Sequence, residues 1–309
     1  MQYLSAGEWL KQQFGEKVYR LSLSSGCTCP NRDGTIGFGG CTFCSEGGSG
    51  EFAAPFLPVE EQIRIAKQRV AKKLRDPEKP HKYIAYFQSF TNTYGDPERL
   101  RDIFFQAARQ PEIAAVSIAT RPDCISIRML EVLTELNGVL PVMVELGLQT
   151  IHEETAVRIR RGYGLPVFTE SFRKLKERGL MVIVHMILGL PGETEEDMLE
   201  SVRFLAGLRP LPDGVKLQML NILRGSAMEQ EYRTAPFPMM DLETYADLIV
   251  RCLRVLPEEV VIHRLTGDGP KRLLVAPLWC ADKKRVLNTI LRKIREAEPR
   301  GKQDNAEGR

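Results

Sequence analysis

Four cysteines that could bind a metal lie close together in the sequence, at positions 27, 29, 41 and 44. They belong to a glycine-rich segment, residues 26–50, which we call the cysteine loop, and the last two form a Cys-x2-Cys pair. Such a pair lets one tight turn present two thiolates to a metal centre, and glycines let the backbone approach that centre closely. The loop therefore predicts a metal site with sulfur ligands.

Two kinds of metal site are compatible with these thiols. Cys29, Cys41 and Cys44 could hold a [4Fe–4S] cluster and leave one iron free for a substrate, with Phe43 shielding the cluster from solvent. All four cysteines could instead enclose a structural zinc ion in a closed site. The single residue between Cys27 and Cys29 is unusual for a zinc knuckle, but spacing alone does not exclude zinc.

The other three cysteines, Cys124, Cys252 and Cys280, stand far from this loop in the sequence. An odd number of unevenly placed cysteines does not fit a secreted disulfide framework, so we expect a reducing compartment. No uncharged apolar run reaches the roughly 18 residues of a membrane span, and residues 1–20 lack the order of a secretory signal. These observations predict a cytoplasmic protein with no membrane partner.

Regular alternation of strands and helices places the candidate residues near the ends of strands. Apolar runs such as 115–119 and 181–188 are nearly continuous, as in parallel strands that are covered on both faces. Six βα units are predicted, with strands at 18–24, 83–87, 113–119, 140–148, 180–188 and 215–222. The helices that follow are predicted to start at Pro58 and to span 96–109, 127–136, 168–178, 194–208 and 242–256.

This alternation indicates the α/β class, either an incomplete barrel or a doubly wound sheet, which periodicity does not separate. In a barrel, the loop after the first strand lies at the carboxyl end, where active sites are built. Beyond the six units, a further strand is predicted at 260–262 and a last helix at 285–296. The predicted divisions are an N-terminal segment 1–17, a barrel 18–256, a C-terminal extension 257–298 and a disordered polar tail 299–309.

The cysteine loop and several later motifs together resemble one family. The segment CPNRDGTIGFGGCTFC, residues 29–44, is a stretched form of the C-x3-C-x2-C motif of radical S-adenosylmethionine (SAM) enzymes. The segments YFQSFTNTY, ATRPDC, ELGLQT, ILGLPGET and APLWC are similar to radical SAM proteins related to the Elongator catalytic subunit and to oxygen-independent coproporphyrinogen oxidase. The resemblance extends from about Phe14 to Cys280, which is nearly the whole predicted barrel.

The resemblance implies an incomplete (β/α)6 TIM-like radical SAM barrel that binds a [4Fe–4S] cluster and SAM. In this family the first cluster ligand precedes Pro-Asn-Arg-Asp-Gly, so Cys29, Cys41 and Cys44 are the implied ligands and Cys27 is spare. The implied SAM-binding residues are Tyr86, Gln88, Thr120, Arg121, Glu145, Gln149, Gly189, Lys216 and Gln218. Three polar residues lie in the sixth strand. By alternation, Lys216 and Gln218 share one face, whereas Asn221 falls on the other face.

Several candidates also have purely structural explanations. Glu145 lies in an apolar strand, and because a buried carboxylate is costly unless paired, a functional role is favoured. His185 either packs in the core or faces the barrel interior and reaches a substrate. Cys124 and Cys280 are candidate hydrogen-atom donors, although a free cysteine is most often a small buried apolar residue. We treat His185, Cys124 and Cys280 as the candidate catalytic residues.

The chemistry that the resemblance implies is reductive cleavage of SAM to methionine and a 5′-deoxyadenosyl radical, which abstracts a substrate hydrogen. The implied substrate is the C5 side chain of a wobble uridine in tRNA, remodelled from the carboxymethylaminomethyl towards the aminomethyl type. A flavodoxin- or ferredoxin-type protein would donate the electron. Two alternatives stay open: a small-metabolite or porphyrin-like substrate, and a non-catalytic RNA-binding module stabilised by zinc or an iron–sulfur cluster.

The distribution of charge gives a weaker indication of a partner. The formal net charge of +3 is too small to indicate a polyanionic ligand. Cations concentrate between Lys283 and Lys302, in a segment that either contacts tRNA phosphates or is simply a solvated terminal helix.

Overall fold

A curled sheet of parallel strands, covered by helices, forms the body of the protein. The computed structural model describes residues 3–74, 76, 79–267 and 269–297. The strands are β1 (Tyr19–Leu23), β2 (Tyr83–Phe87), β3 (Ile113–Thr120), β4 (Val142–Gln149), β5 (Met181–Leu188), β6 (Gly214–Met219), β7 (Ile222–Leu223), β8 (Val261–Arg264) and β9 (Leu274–Ala276). The helices are α1 (Ala6–Phe14), α2 (Val59–Ala71), α3 (Pro97–Ala108), α4 (Ile127–Asn137), α5 (Glu153–Arg158), α6 (Leu165–Glu177), α7 (Glu195–Gly207), α8 (Ala227–Thr234), α9 (Leu242–Val255) and α10 (Lys283–Glu296).

The main sheet contains seven parallel strands in the order β1-β2-β3-β4-β5-β6-β8. This arrangement confirms the predicted α/β class and the incomplete TIM-like barrel. Strand β8 corresponds to the further strand predicted at 260–262, so the sheet is one strand longer than the six predicted βα units. Strands β7 and β9 form a separate antiparallel pair, which begins directly beyond the carboxyl end of β6.

Alternate residues of each strand face opposite sides of the sheet. On β2, Tyr83, Ala85 and Phe87 pack in the main core with helix residues, whereas Ile84 and Tyr86 face the barrel interior. The same alternation holds on the neighbouring strands, where the inward positions near the middle of the barrel are polar. The nearly continuous apolar runs of the sequence therefore conceal a polar stripe inside the barrel.

Helix α1 closes the amino end of the barrel interior. Its Leu10 packs in a small apolar cluster with inward residues from four strands: Ile84, Ala115, Met143 and Ile183. A capping box between Ser5 and Glu8 starts the helix. Just before it, the Leu4 carbonyl accepts a hydrogen bond from the Ile262 N–H (2.8 Å), which ties this segment to β8.

The sequence pattern does not predict α1, α5, α8 or the β7–β9 pair. These elements are short, with six residues in α5 and two in β7, and a short segment carries too few periods of a hydrophobic pattern to be distinguished from a loop. The sixth strand is also shorter than the predicted 215–222, because β6 ends at Met219 and the chain turns before β7.

Helix α10 confirms the last predicted helix and packs along α9. Val286, Ile290 and Ile294 are buried at helical spacing on its inner face. The predicted disordered tail, 299–309, lies outside the described residues, and the divisions of the chain at 17, 256 and 298 remain predictions. Within the part of the chain that the structure describes, no helix is both long and apolar enough to cross a membrane.

Candidate active site

An open pocket of about 220 Å³ lies at the carboxyl ends of the parallel strands. Its walls come from the cysteine loop, from the residues that follow β2 and β3, and from inward residues of β4, β5 and β6. The predicted site residues that line it are Cys29, Cys41, Cys44, Tyr86, Gln88, Thr120, Arg121, Glu145, Gln149, His185 and Gln218. The fold therefore gathers most of the predicted site, including all three proposed cluster ligands.

Two tight turns present the three pocket cysteines. The Arg32 N–H donates to the Cys29 carbonyl (2.8 Å), and the Cys44 N–H donates to the Cys41 carbonyl (3.0 Å). Gly40, just before the second turn, has a φ of 85°, and a side chain there would lie 2.8 Å from the Arg32 side chain. The glycine thus permits both the left-handed backbone and the close approach of Arg32.

The loop is also tied to the segment that follows α5. The Asn31 amide donates to the Arg160 carbonyl (2.5 Å) and lies 3.5 Å from the Cys41 sulfur. The Thr42 N–H donates to the Ile159 carbonyl (3.0 Å). These bonds tie the cysteine loop to the connection between α5 and α6.

Cys27 is separated from the other three thiols of the loop. It is buried in the main core, where the Arg99 guanidinium donates to its sulfur (3.4 Å), and it is not among the described residues that line the pocket. A closed zinc site with four thiolates would require Cys27 to leave this position and turn towards the pocket. This placement favours the arrangement with three pocket cysteines, and the spare role of Cys27 stays a prediction.

The chemistry of the three pocket thiols fits an iron–sulfur cluster. The pKa of Cys41 is lowered to about 7, because a hydrogen bond from Cys44, helped by the nearby Arg121 charge, outweighs the effect of burial. Thiolates are the form that binds a metal, so this environment favours Cys41 as a ligand. The same hydrogen bond, together with burial, holds the pKa of Cys44 well above its usual range, so Cys44 must lose its proton when a metal binds. A cubane cluster has four irons, and three thiols leave one of them available to the pocket.

Glu145 is the centre of a buried hydrogen-bond network inside the barrel. Its carboxylate accepts hydrogen bonds from the hydroxyls of Tyr86 (2.7 Å) and Ser117 (2.9 Å) and from the Lys216 ammonium, and it lies 2.8 Å from His185 Nε2. Lys216 also donates to the Tyr86 oxygen (3.3 Å). These partners explain how a carboxylate is tolerated within an apolar strand, because each buried polar atom finds a complementary group.

Burial and the Glu145–Lys216 pair set the protonation of this network. Burial acts to raise the pKa of Glu145, but Lys216 and His185 outweigh it and hold that pKa well below its usual range. Burial lowers the pKa of Lys216 to about 7, and burial together with the Lys216 charge lowers that of His185 to about 4. Because the ionised carboxylate only accepts, the neutral His185 donates from Nε2 and keeps Nδ1 as an acceptor.

Two glutamines extend from the strand ends into the pocket wall. The Gln88 side chain accepts from the Ser22 hydroxyl (3.2 Å) and donates to the Ser49 carbonyl (2.8 Å), which joins β1 to the cysteine loop. Gln149 has a φ of 63° and accepts from the Tyr163 hydroxyl (3.2 Å). A left-handed backbone is uncommon for glutamine and is concentrated at functional sites, so the strain at Gln149 agrees with a role in the pocket.

Arg121 and Thr120 line the pocket at the end of β3. The Arg121 guanidinium makes a two-point ion pair with Asp123 (2.9 and 2.7 Å) and lies over the Tyr163 ring, 4.9 Å from its centroid. The Thr120 hydroxyl lies 2.5 Å from that of Thr93. Both predicted residues are therefore held by polar partners at the pocket wall.

The structure does not bring the two candidate catalytic cysteines to the pocket. Cys280 is buried in the main core, on the 3₁₀ helix Leu278–Ala281, and burial raises its pKa to about 12. Cys124 ends the 3₁₀ helix Pro122–Cys124, with its sulfur 3.6 Å from an Asp123 oxygen. Neither is among the described residues that line the pocket. The structure therefore adds no geometric support for their proposed catalytic role.

Two further predicted residues, Lys216 and Gly189, lie outside the pocket wall. The prediction that Asn221 faces away from Gln218 is wrong. Lys216 is fully buried behind Glu145, and Gly189 follows β5 with a φ of 84°. Asn221, expected on the opposite face from Gln218, lines the same pocket. Strand alternation does not reach it, because β6 ends at Met219 and the chain turns there.

Sequence reasoning missed a pair of residues that shape the pocket from the segment after α5. Arg161 is fully buried and donates to the carbonyls of Leu148 (2.8 Å) and Thr150 (2.6 Å), which fixes the end of β4. The Tyr163 ring lies within cation–π distance of both Arg161 (4.7 Å) and Arg121 (4.9 Å). The run Arg-Arg-Gly-Tyr-Gly, residues 160–164, was the available signal, since it clusters cations and an aromatic ring just after a predicted strand.

Two family models match this chain. The model of the radical SAM superfamily matches residues 28–205, which is more than half of the chain. The model of the radical SAM C-terminal domain matches residues 212–296.

Individual relatives agree with these matches. The "Uncharacterized protein YtqA" of Bacillus subtilis (strain 168) is 40% identical over 293 residues, which cover 94% of this chain and 88% of that protein. Elongator complex protein 3 of Danio rerio is 28% identical over 160 residues, 52% of this chain but only 29% of that protein. Among solved structures, the archaeal Methanocaldococcus infernus Elp3 with an N-terminal deletion has a TM-score of 0.66 at 18% identity, covering 89% of this chain and 63% of that chain, a likeness that concerns the fold.

Proposed function

The chain belongs to the radical SAM superfamily, and from this premise we propose that it remodels the C5 side chain of a wobble uridine in tRNA. It is an enzyme that uses a [4Fe–4S] cluster and SAM. When bound, these two groups supply the means to abstract a hydrogen atom from an unactivated carbon. The proposed change converts a carboxymethylaminomethyl-type group towards an aminomethyl-type group.

The protein's own residues have three tasks in this proposal. Cys29, Cys41 and Cys44 hold the cluster, and Phe43 limits access of water to it. Glu145 lines the pocket and would contact SAM there, with its charge balanced by Lys216. His185 lines the pocket and, because its lowered pKa keeps the ring neutral, offers Nδ1 as a hydrogen-bond acceptor to the substrate.

The observation that carries the choice of tRNA is the likeness to Elongator complex protein 3. It covers 52% of this chain. Only 29% of that protein is matched, so the substrate comes to this chain as a proposal. The wobble base is accessible to such a pocket, because bases of an anticodon loop can be splayed out and bound individually.

Charge on α10 gives secondary support for an RNA partner. Lys284, Arg285 and Arg295 are exposed on one side of the helix and border a shallow depression, and no ion pair within the described residues involves them. Arg292 and Lys293, by contrast, are held by acidic residues of α9. The exposed cations are therefore available to phosphates.

Nucleoside profiling of tRNA from a strain that lacks this protein tests the proposal. The expected result is accumulation of carboxymethylaminomethyl-type wobble uridine with loss of the aminomethyl type. A plasmid copy with Cys27→Ser should restore the parental profile, and a copy with Cys29→Ser should not. An unchanged set of wobble uridines would contradict the tRNA proposal, and stimulation of SAM cleavage by a metabolite would then favour the small-substrate alternative.

A further inference from the structure

Phe52 contributes an aromatic ring to the pocket mouth. It lines the pocket and is 50% exposed. The Arg69 guanidinium donates to the carbonyls of Phe52 (3.0 Å) and Ala53 (2.9 Å), so the backbone is fixed. Within the described residues Phe52 belongs to no core cluster. A large apolar ring is thus held at the mouth without a packing role.

Phe90 lines the same pocket in a strained conformation. Its φ is 58°, which is a genuine outlier for a bulky residue and persists only where the surroundings enforce it. The Phe90 N–H donates to the Gly48 carbonyl (3.0 Å), and a side chain at Gly48 would lie 2.3 Å from the Phe90 ring. The Arg32 guanidinium lies over this ring, 5.5 Å from its centroid. Two positions therefore adopt special backbone geometry to place one aromatic ring.

The two rings come from segments that touch. A side chain at Gly50 would lie 2.9 Å from the Ser89 Cα, so the backbone two residues before Phe52 packs against the residue before Phe90. Phe52, Phe90 and Arg32 all line the pocket, and the Arg32 guanidinium lies over the Phe90 ring. Phe52 is half exposed and Phe90 is partly exposed. Accessible aromatic rings and arginine guanidiniums are groups on which proteins stack planar bases.

We propose that Phe52 and Phe90 form a stacking subsite for a planar nucleobase. Two sources could supply that base: the adenine of SAM, or a base of the RNA substrate. The RNA source rests on the proposed function, whereas the adenine source rests only on membership of the family.

Binding measurements on the holoenzyme distinguish the two sources. One arm titrates SAM, and the other titrates a synthetic anticodon stem–loop RNA with 2-aminopurine at the wobble position, whose fluorescence reports stacking. Phe52→Leu, which keeps an apolar group but removes the planar ring, should weaken binding of the stacked ligand by roughly 5- to 150-fold. Phe52→Tyr is the matched control and should stay within about twofold of the parent.

Each outcome decides the proposal. Loss in the RNA arm assigns the subsite to a substrate base, and loss in the SAM arm assigns it to adenine. If parent, Phe52→Leu and Phe90→Leu bind both ligands equally well, the subsite is refuted while the proposed function stands. If the parent does not bind the stem–loop but SAM binding needs the rings, the tRNA proposal fails and the subsite holds. Phe52 is half exposed, so its variants test the idea even if Phe90→Leu does not fold.

Discussion

Glu145 and Lys216 are both fully buried, and each supplies the charge that the other requires. Removing one partner of a buried pair leaves an uncompensated charge, which costs about 3–5 kcal/mol. Glu145→Gln should therefore lower the free energy of unfolding by about 3 kcal/mol in urea denaturation. It should also weaken SAM binding while the iron content is retained.

A second substitution separates the structural role of Glu145 from its binding role. Glu145→Gln combined with Lys216→Met leaves no unpaired charge, so it should recover part of the lost stability while SAM binding stays weak. As a surface control, Glu135→Gln breaks an exposed pair with Arg101 and should change stability by no more than about 1 kcal/mol. SAM affinity that returns in the double variant would show that the carboxylate does not contact SAM.

Two partly buried histidines, His185 and His263, make stability depend on pH. The pKa of His185 is lowered to about 4 and that of His263 well below its usual value, chiefly because burial disfavours the charged ring. Between pH 6.5 and about 4 the unfolded chain therefore binds protons that the folded chain does not. The free energy of unfolding should fall with decreasing pH by about 1.4 kcal/mol per pH unit for His185 across this window, and the lowered pKa of His263 should add to the fall.

Urea denaturation across this pH range measures the effect. His185→Gln and His263→Gln should each flatten the dependence, and the two together should flatten it further. The lowered pKa of Glu145 adds a separate loss, which begins only below about pH 4.5, where its unfolded form becomes protonated. A double histidine variant that kept the parental slope between pH 6.5 and 4.5 would contradict the explanation.

Serine substitutions should divide the cysteines of the loop into two groups. Replacing Cys29, Cys41 or Cys44 removes a thiolate from the pocket and should abolish cluster assembly. Replacing Cys27 removes a thiol that packs beside Arg99 and should largely retain the cluster. Iron and sulfide analysis after anaerobic reconstitution measures the difference, and a stable zinc site that needs all four cysteines would overturn the assignment.

At the level of elements, α1 stabilises the amino end of the barrel by filling its interior. Leu10 is 5% exposed and packs against inward residues of four strands. Leu10→Ala should lower the free energy of unfolding by about 2–4 kcal/mol, because it removes buried methyl groups and leaves a cavity. Lys11→Ala, on the exposed side of the same helix, should stay within about 0.5 kcal/mol in the same chemical denaturation. Equal effects of the two substitutions would show that α1 does not act as a plug.

For the whole molecule, the position of exposed cations decides how it would bind RNA. Arg292 is engaged by Glu243 (2.6 Å) and Glu296 (2.8 Å), so the cations open to phosphates on α10 are Lys284, Arg285 and Arg295. Replacing these three together with glutamine should weaken tRNA binding. It should also reduce the slope of log affinity against log salt by roughly 2 to 3, since each phosphate contact releases counterions.

A control variant removes the same charge elsewhere. Arg64, Arg173 and Lys174 lie on α2 and α6 and pair with glutamates of their own helices. Their replacement by glutamine should leave the salt slope of tRNA binding unchanged. If both triple variants behave like the parent in binding titrations at several salt concentrations, α10 is a solvated helix and carries no RNA contact.

The sequence by itself determined the features that depend on local pattern. Hydrophobic runs and turn residues predicted six parallel strands, the helices between them and a further strand at 260–262, and the fold confirms them. The cysteine loop predicted a metal site with sulfur ligands, because ligand spacing within one loop is a property of neighbouring residues. The quoted strand-end motifs indicated the radical SAM family, which the family models confirm.

Only the tertiary structure decided which distant residues meet. Glu145 and Lys216 lie 71 positions apart in the sequence, and the hydrophobic pattern within either strand does not predict that they pair. The burial of Cys27 beside Arg99, the turn that brings Asn221 to the pocket and the strained ring of Phe90 likewise depend on contacts between separate segments. The hydrophobic pattern of a strand indicates which of its faces is buried. Which side chains that face contacts depends on how the sheet curls into a barrel, because the contacting residues come from strands that are distant in the sequence. The contacts within the site therefore follow only from the tertiary structure.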